Sequence, residues 1–109
     1  MTAAAGRLHG KVAVITGGGS GIGQACAVLF AAEGAHLALV DRDGEALEQT
    51  QAVLAGQGSE ALLLQGDVGD EATVAAHCQM VMTRFGQIDV LFAGAGFSSG
   101  TNADRKSVV

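Results

Sequence analysis

Short apolar runs alternate with segments of helical periodicity along most of the chain. The run at 11–16 is compact and rich in β-branched residues, and a glycine-rich stretch follows at 17–21. Apolar residues then recur with the spacing of one helix face, at Ile22, Ala25, Cys26, Leu29 and Phe30. This pattern predicts a strand, a glycine turn and a helix, and the helix is expected to end at Glu33 and Gly34.

The same alternation predicts a second strand and a second helix. The apolar run at 35–40 is closed by Asp41, and Asp43 is a candidate N-cap for a helix that extends to about residue 57. Three residues of this helix are predicted to face inward, namely Leu47, Thr50 and Leu54. Three others are predicted to face solvent, namely Glu45, Glu48 and Gln51.

A third strand, a third helix and a fourth strand complete the pattern. The third strand is predicted at 60–65, and Asp70 is predicted to cap the helix that follows and ends at Gly86. One stripe of that helix is apolar, with Val74, Cys78, Val81 and Phe85. The fourth strand is predicted at 88–92.

The order βαβαβαβ, with continuously apolar strands, predicts the fold class. Strands that are apolar on both faces are typical of a parallel sheet covered by helices on each side. We therefore predict a Rossmann-like, doubly wound α/β sheet truncated to four strands and three helices. The predicted segments are an N-terminal extension at 1–10, a partial nucleotide-binding domain at 11–97 and a polar, disordered tail at 98–109.

Composition narrows the function classes. The 109 residues are 49% hydrophobic and 16% charged, which is typical of a globular domain. The net charge is −5 and the six basic residues are scattered, so we expect neither a nucleic-acid nor a membrane partner. The N-terminal residues lack an apolar targeting segment, which predicts a cytoplasmic location. The chain contains no tyrosine, so no tyrosine acid or base is available to it.

The two cysteines, Cys26 and Cys78, fall at apolar positions of predicted helices, and we expect both to be small buried thiols. The alternative is a metal site that also uses the three histidines, His9, His36 and His77. No two of these residues have the spacing of metal ligands, so no metal site is predicted.

The glycine turn after the first strand is a candidate phosphate site. Amide groups at a helix N-terminus are unpaired and the helix dipole favours an anion there, while glycines let the anion approach the backbone. Gly17, Gly21 and Gly23 supply these features, although their spacing is not that of a GxGxxG fingerprint. The alternative is a tight turn without a ligand.

Asp41 lies at the end of the second strand, where a carboxylate accepts hydrogen bonds from the two ribose hydroxyls of an adenosine. An acid here also repels a 2′-phosphate, and the glycine turn carries no basic residue, so NAD is predicted over NADP. Arg42 is the counter-argument, because a guanidinium there could reach such a phosphate. In the alternative interpretation, Asp41 stabilises the turn that follows it, and both roles can hold together.

The stretch 16–23, TGGGSGIG, resembles the TGxxxGIG motif of the short-chain dehydrogenase/reductase family. Asp67 and Val68 resemble the pair that holds the adenine ring in that family, and 88–96 resembles its IDVLVNNAG segment. The resemblance implies hydride transfer between a nicotinamide cofactor and an alcohol or carbonyl substrate. The cofactor-binding residues that we predict are Gly17, Gly19, Ser20, Gly21, Ile22, Gly23, Asp41, Arg42, Asp67, Val68, Gly94 and Ala95.

Two departures from the family pattern bear on function. Gly94, preceded by Ala93, stands where the family carries asparagine. The family's catalytic Ser and Tyr-x-x-x-Lys lie further along its chains and have no counterpart here, since Ser98 and Ser99 fall in the predicted tail. We therefore predict no catalytic residue.

Three hypotheses follow from these residues. The first is the N-terminal, cofactor-binding half of an NAD-dependent oxidoreductase, cut short by a frameshift or premature stop and inactive alone. The second is a dinucleotide-binding module without turnover. The third is a structural fragment that associates with itself through the uncovered edge of the fourth strand.

Overall fold

The structure, a computed structural model, describes residues 6–94. Its elements are β1 (Val12–Thr16), α1 (Gly21–Ala32), β2 (His36–Asp41), α2 (Gly44–Ala55), β3 (Ala61–Gln65), α3 (Glu71–Phe85) and β4 (Val90–Ala93). The predicted order of four strands and three helices is thereby confirmed. Ala95, the predicted tail and the first five residues of the predicted extension lie outside the described residues.

The four strands form one parallel sheet in the order β3-β2-β1-β4. The chain therefore steps outward from β1 to β3 and then returns to the other side of β1. Thr16 at the end of β1 is in register with Val40 of β2 and with Ala93 of β4. The carboxyl ends of β1, β2 and β4 consequently meet at one edge, at the point where the strand order reverses. Ligands of open α/β sheets bind at such a point.

The two central strands are buried on both faces, as a doubly wound sheet requires. On one face, residues such as Ile15 and Leu39 pack against Ala27 of α1 and Leu47 of α2. On the other face, the packing partner is Val81 of α3. The Rossmann-like α/β arrangement is therefore confirmed, with α1 and α2 on one side of the sheet and α3 on the other.

The predicted inner face of α2 is confirmed, because Leu47, Thr50 and Leu54 are all fully buried. The prediction that Gln51 faces solvent is wrong. Its Nε2 donates to the carbonyl of Ala61 at 2.8 Å, and its Oε1 accepts from the Ala61 amide at 2.9 Å. The side chain turns toward β3 because one carboxamide satisfies both polar backbone groups of this strand residue.

The two aspartates predicted as helix caps behave differently. Asp43 caps α2, since its Oδ1 accepts from the amides of Glu45 and Ala46, each at 3.1 Å. Asp70 occupies the N-cap position of α3 but makes no capping hydrogen bond to the backbone. Its Oδ2 accepts instead from the hydroxyl of Thr73 at 2.6 Å.

The predicted inner stripe of α1 is wrong at three positions, because Ala25 is exposed and so are two large residues. Ile22 is 67% exposed and Leu29 is 63% exposed, whereas the buried residues of this helix are Gly23 and Ala27. The helix begins directly against the turn that follows β1, where a Cβ on Gly23 would collide with the carbonyl of Gly17. Only small residues fit at this distance, so Ile22 and Leu29 lie on other faces of the helix, while Val28 and Phe30 are partly buried against the core.

Burial is incomplete on the side of α3 and β4, contrary to two predictions. Cys78 is exposed rather than buried, whereas Cys26 is half-buried. In β4, Leu91 is 59% exposed while Phe92 is half-buried, so this strand is not buried on both faces. Within residues 6–94, no second helix covers the α3 side of β4. An apolar cavity of about 270 Å³ remains there, and both Cys78 and Leu91 line it.

Asp89 attaches the start of β4 to β1. Its Oδ2 accepts from the Val12 amide at 2.8 Å and from Nε2 of Gln87 at 2.6 Å. Its own amide donates to the Val12 carbonyl at 2.8 Å. The hydrogen bond from Val12, followed by that from Gln87, lowers the pKa of the Asp89 carboxyl below its ordinary value.

The three helices contain 12, 12 and 15 residues. Within residues 6–94, none of them is long and apolar enough to cross a bilayer. Over the same residues, no three His, Cys, Asp or Glu side chains are close enough together to hold a metal ion. The cytoplasmic location and the exclusion of nucleic-acid partners stay predictions.

Candidate functional site

A cavity of about 220 Å³ opens at the carboxyl ends of β1 and β2. Its lining consists of Gly17, Ser20, Val40, Asp41, Arg42, Gly66 and Val68. Five of these were predicted as site residues, in segments separated by many positions of sequence. The parallel sheet brings the segments together because each follows a strand that ends at the same edge.

The turn between β1 and α1 is closely packed, which explains its glycines. Gly17 has a φ of 72°, a left-handed conformation that favours glycine. A Cβ on Gly18 would crowd against Leu39, and one on Gly19 would crowd against Ala46. Gly23 is also confined, as described above. These glycines let the turn lie directly on β2 and α2.

Gly21 differs from Gly18, Gly19 and Gly23 because a Cβ placed on it would meet no atom within 4 Å. This open space lies at the N-terminus of α1. Ser20 caps the helix, since its Oγ donates to the Gly17 carbonyl at 2.8 Å and accepts from the Gly23 amide at 3.1 Å. Among residues 6–94, the amides of Gly21 and Ile22 have no hydrogen-bond partner. Two unpaired donors and the positive end of the helix dipole therefore lie beside open space, which favours an anion.

Asp41 lies between the glycine turn and the start of α2. Its Oδ2 accepts from the Gly19 amide at 2.9 Å, and its Oδ1 accepts from the Asp43 amide at 3.0 Å. The carboxylate thus binds backbone amides of the glycine turn and of the turn that follows Asp41. The second contact is the one that the alternative interpretation predicted. Each oxygen has a further lone pair, so the half-buried group can still accept from a ligand hydroxyl.

The remaining predicted residues occupy three different environments. Arg42 is exposed at the cavity, and its backbone carbonyl accepts from Nε2 of Gln65 at 3.1 Å. Val68 is 42% exposed and presents an apolar surface to the cavity. Asp67 is exposed, and its Oδ1 accepts from the Gly69 amide at 2.8 Å in a local turn.

Gly94 lies beside the end of β1 and does not line the cavity. Its amide donates to the Thr16 carbonyl at 3.0 Å. A Cβ on Gly94 would crowd against the ring of Phe92 and against the Thr16 carbonyl. The aromatic ring of Phe92 therefore occupies the space in which a larger residue at position 94 would begin.

Sequence reasoning did not assign a role to three residues that hold the site in place. Thr50 is fully buried, and its Oγ1 donates to the Gly18 carbonyl at 2.9 Å and accepts from Nε2 of Gln24 at 3.2 Å. Gln65 holds the loop of Arg42, as described above. A hydroxyl on the apolar inner stripe of α2 was a signal for Thr50, because buried polar groups have partners. Nothing in the pattern marked Gln24 or Gln65.

Residues 11–108 match the model of the family described as short chain dehydrogenase. The chain belongs to the short-chain dehydrogenase family. The resemblance seen in the sequence motifs is thereby confirmed. The match continues beyond the last of those motifs and includes most of the segment that was predicted as a tail.

Among proteins of this family, the chain is 45% identical to levodione reductase from Leifsonia aquatica over 98 residues. That alignment covers 88% of this chain and 37% of the reductase. The solved structure of levodione reductase superimposes with a TM-score of 0.81 and is covered over 38% of its length. The chain thus spans well under half the length of this relative.

Two short-chain dehydrogenase structures with a bound dinucleotide are also similar. One is NAD⁺-bound xylitol dehydrogenase, with 41% identity and a TM-score of 0.79, where the alignment covers 84% of this chain and 35% of that one. The other, from Burkholderia phymatum, is in complex with NAD and has 40% identity and a TM-score of 0.74. There the alignment covers 77% of this chain and 30% of the relative.

Proposed function

We propose that this chain binds NAD at the carboxyl edge of its sheet, as the cofactor-binding part of a short-chain oxidoreductase. The bound nicotinamide would supply hydride exchange with an alcohol or carbonyl substrate of such an oxidoreductase. The observation that carries the proposal is the pair of unpaired amides, Gly21 and Ile22, beside the cavity of Asp41. The NAD complexes of similar proteins support it.

The residues of this chain fit the chemical parts of the dinucleotide. The Gly21 and Ile22 amides would donate to the diphosphate, and the space beside Gly21 is the approach that a Cβ would fill. The free lone pairs of Asp41 would accept from the adenosine ribose hydroxyls. The apolar surface of Val68 and the Arg42 side chain would flank the adenine.

We propose NAD rather than NADP as the cofactor. The carboxylate of Asp41 would face a 2′-phosphate with a like charge, and the segment 17–23 contains no Lys or Arg to offset it. Arg42 is the one basic residue at the cavity. A preference for NAD requires that the repulsion of a 2′-phosphate by Asp41 exceeds the attraction of that phosphate to Arg42.

We further propose that the isolated chain does not turn over substrate. The acid–base chemistry implied by the family needs a tyrosine, and the sequence contains none. The cavity itself holds Ser20 as its only hydroxyl group among the described residues, and that hydroxyl already caps α1. Binding and turnover are therefore separate properties of this chain, and binding is the one that its residues support.

Calorimetric titration with NAD tests the proposal, with Gly21→Ala as the informative variant. We expect the wild-type chain to bind and the variant to lose most of its affinity while it unfolds at the same temperature, because the added methyl group enters only open space. Gly56→Ala is the matched control, since Gly56 ends α2 in a right-handed helical conformation and is remote from the cavity. Absence of heat with the wild-type chain at millimolar NAD would refute the proposal.

A second titration tests cofactor preference through Asp41→Asn, which keeps the shape of the side chain and removes its charge. We expect affinity for NADP to rise relative to NAD by about tenfold or more, since a like-charge repulsion is removed. An unchanged ratio would show that Asp41 does not set the preference.

The exposed side of β4 favours a second candidate property, association between two copies of the chain. β4 is paired only with β1 among the described strands, and Leu91 and Ile88 are exposed beside an apolar cavity. Light scattering over a concentration series tests this. We expect Leu91→Lys to shift the chain toward monomer, while Leu29→Lys, equally exposed on α1, leaves association unchanged. A wild-type chain that is monomeric at all concentrations would contradict it.

A further inference from the structure

Both ends of one peptide unit in the glycine turn are held by side chains. The Gly18 carbonyl accepts from Oγ1 of Thr50 at 2.9 Å, and the Gly19 amide donates to Oδ2 of Asp41 at 2.9 Å. These two groups belong to the same peptide plane, so its orientation is fixed from α2 on one side and from the end of β2 on the other.

This peptide unit needs an anchor because it joins two glycines. Without Cβ atoms, Gly18 and Gly19 allow the plane between them to rotate at little steric cost. A rotation by half a turn would place the Gly18 carbonyl oxygen against the carboxylate of Asp41, so that two acceptors would face each other. The carboxylate would lose a donor and be pushed from its place between the turn and α2.

The geometry around Thr50 directs its hydroxyl to the peptide. Gln24 of α1 donates to Oγ1 of Thr50 at 3.2 Å, which occupies an acceptor site of the hydroxyl and leaves its hydrogen for the Gly18 carbonyl. Thr50 is fully buried, so water is not available as a substitute partner for the carbonyl. Leu47 and Leu54 flank Thr50 on the inner face of α2 and hold the helix to the sheet without the hydroxyl.

We propose that Thr50 is a positioning residue of the dinucleotide site, and that its hydroxyl locks the Gly18–Gly19 peptide so that Asp41 stays in place. This rests on the proposed function, because it assigns Thr50 to the site that would bind NAD. Gln24 contributes by orienting the hydroxyl. Neither residue lines the cavity, so both act through the glycine turn.

Two substitutions separate the hydroxyl from the bulk of the side chain. Thr50→Val has nearly the same shape and lacks the hydroxyl, whereas Thr50→Ser keeps it. We expect Thr50→Val to weaken NAD binding about tenfold and Thr50→Ser to change it less than about threefold, since only the first removes the hydrogen bond to Gly18. Calorimetry gives the affinities.

Hydrogen exchange of the Gly19 amide supplies a readout that does not depend on NAD. In the wild-type chain this amide is protected by Asp41, and we expect Thr50→Val to accelerate its exchange while amides in the centres of β1 and β2 keep their rates. Thr50→Ser is expected to restore the protection. Gln24→Met leaves the core of the sheet intact, and we expect it to accelerate exchange of the Gly19 amide less than Thr50→Val does. If Thr50→Val does not fold, the Gly19 exchange rate in Gln24→Met decides whether the Thr50 hydroxyl locks the peptide.

The outcomes distinguish this proposal from the proposed function. If NAD does not bind the wild-type chain, the proposed function fails, and the Gly19 exchange rates still decide whether Thr50 locks the peptide. If NAD binds and Thr50→Val leaves both the affinity and the Gly19 exchange rate unchanged, the role of Thr50 is overturned. Equal acceleration at Gly19 and in the central strands would show a general loss of stability and would also overturn it.

Discussion

The two outer strands of the sheet, β3 and β4, differ in how well the rest of the chain covers them. At β3, the carboxamide of Gln51 binds both the amide and the carbonyl of Ala61, and the strand packs against α2. At β4, Leu91 is largely exposed beside an apolar cavity, and no described element lies on its outer side. The same sheet therefore has one edge that is bound at Ala61 by Gln51 and packed against α2, and one edge left open.

The difference shows which part of the molecule is structurally self-sufficient. The glycine turn and Asp41 are held by β1, β2, α1 and α2. We call these four elements, together with β3, the completed side of the sheet. None of the hydrogen bonds that fix the Gly18–Gly19 peptide comes from β4 or α3. We therefore expect dinucleotide binding to depend on the completed side, and changes at β4 to affect association more than binding.

The largest expected difference is between two leucines on opposite sides of this comparison. Leu39 in β2 is fully buried, and Leu39→Ala should lower the free energy of unfolding by about 2–5 kcal/mol through lost burial and a residual cavity. Leu91→Ala in β4 should change it by less than about 0.5 kcal/mol, as is usual for exposed positions. Urea unfolding measures both. Equal losses would mean that β4 is as well packed as β2.

The next effect concerns two glycines of the same turn. Gly23→Ala should lower the free energy of unfolding by about 1–3 kcal/mol, because the new Cβ collides with the Gly17 carbonyl and the backbone must shift. Gly21→Ala should not lower it, since its Cβ enters open space. Thermal unfolding of both variants checks this prediction. A destabilised Gly21→Ala variant would show that the space beside Gly21 is filled.

A smaller loss of unfolding free energy is expected when the contact between Gln51 and the edge strand β3 is removed. Gln51→Ala removes two hydrogen bonds from Ala61 and should cost about 1–2 kcal/mol of unfolding free energy. Gln49→Ala, at an exposed position of the same helix, is the control and should cost little. Urea unfolding distinguishes them. If both substitutions have the same effect, Gln51 does not stabilise the edge of β3.

The smallest effect is a dependence of stability on pH at the junction of β4 with β1. The pKa of Asp89 is lowered in the folded chain, so the ionised carboxylate stabilises the fold above the ordinary carboxyl pKa. That contribution is lost as the pH falls through the lowered folded-state pKa. Asp89→Asn should therefore reduce the loss of stability on acidification, measured as unfolding temperature against pH. An identical pH profile in the variant would assign the acid sensitivity to other groups.

The sequence was sufficient to predict the order of elements and five of the seven residues that line the candidate cavity. Continuous apolar runs predicted β1 and β2, and Asp43 was recognised as a helix cap because side-chain capping acts over a few residues. The positions of Gly17 and Asp41 followed from where strands end in a parallel sheet. Each of these predictions depends on local chemistry or on a simple rule of topology.

Contacts between distant segments were not predictable in the same way. Periodicity identifies an apolar helix face but not how closely the helix approaches the sheet, which is why Ile22 and Leu29 were placed inward. The hydrogen bond from Thr50 to Gly18 joins residues far apart in sequence. The exposure of Cys78 depends on which other elements cover α3. The periodicity of that helix carries no information about them.

We propose that dinucleotide binding is located at the N-terminus of α1, on the completed side of the sheet. The most direct measurement is an NMR titration of the ¹⁵N-labelled chain with NAD. We expect the amide signals of Gly21 and Ile22 to shift most, with smaller shifts at Gly19 and Asp41 and none at Leu91. Shifts confined to β4 and α3, or no shifts at millimolar NAD, would show that the N-terminus of α1 is not the binding site.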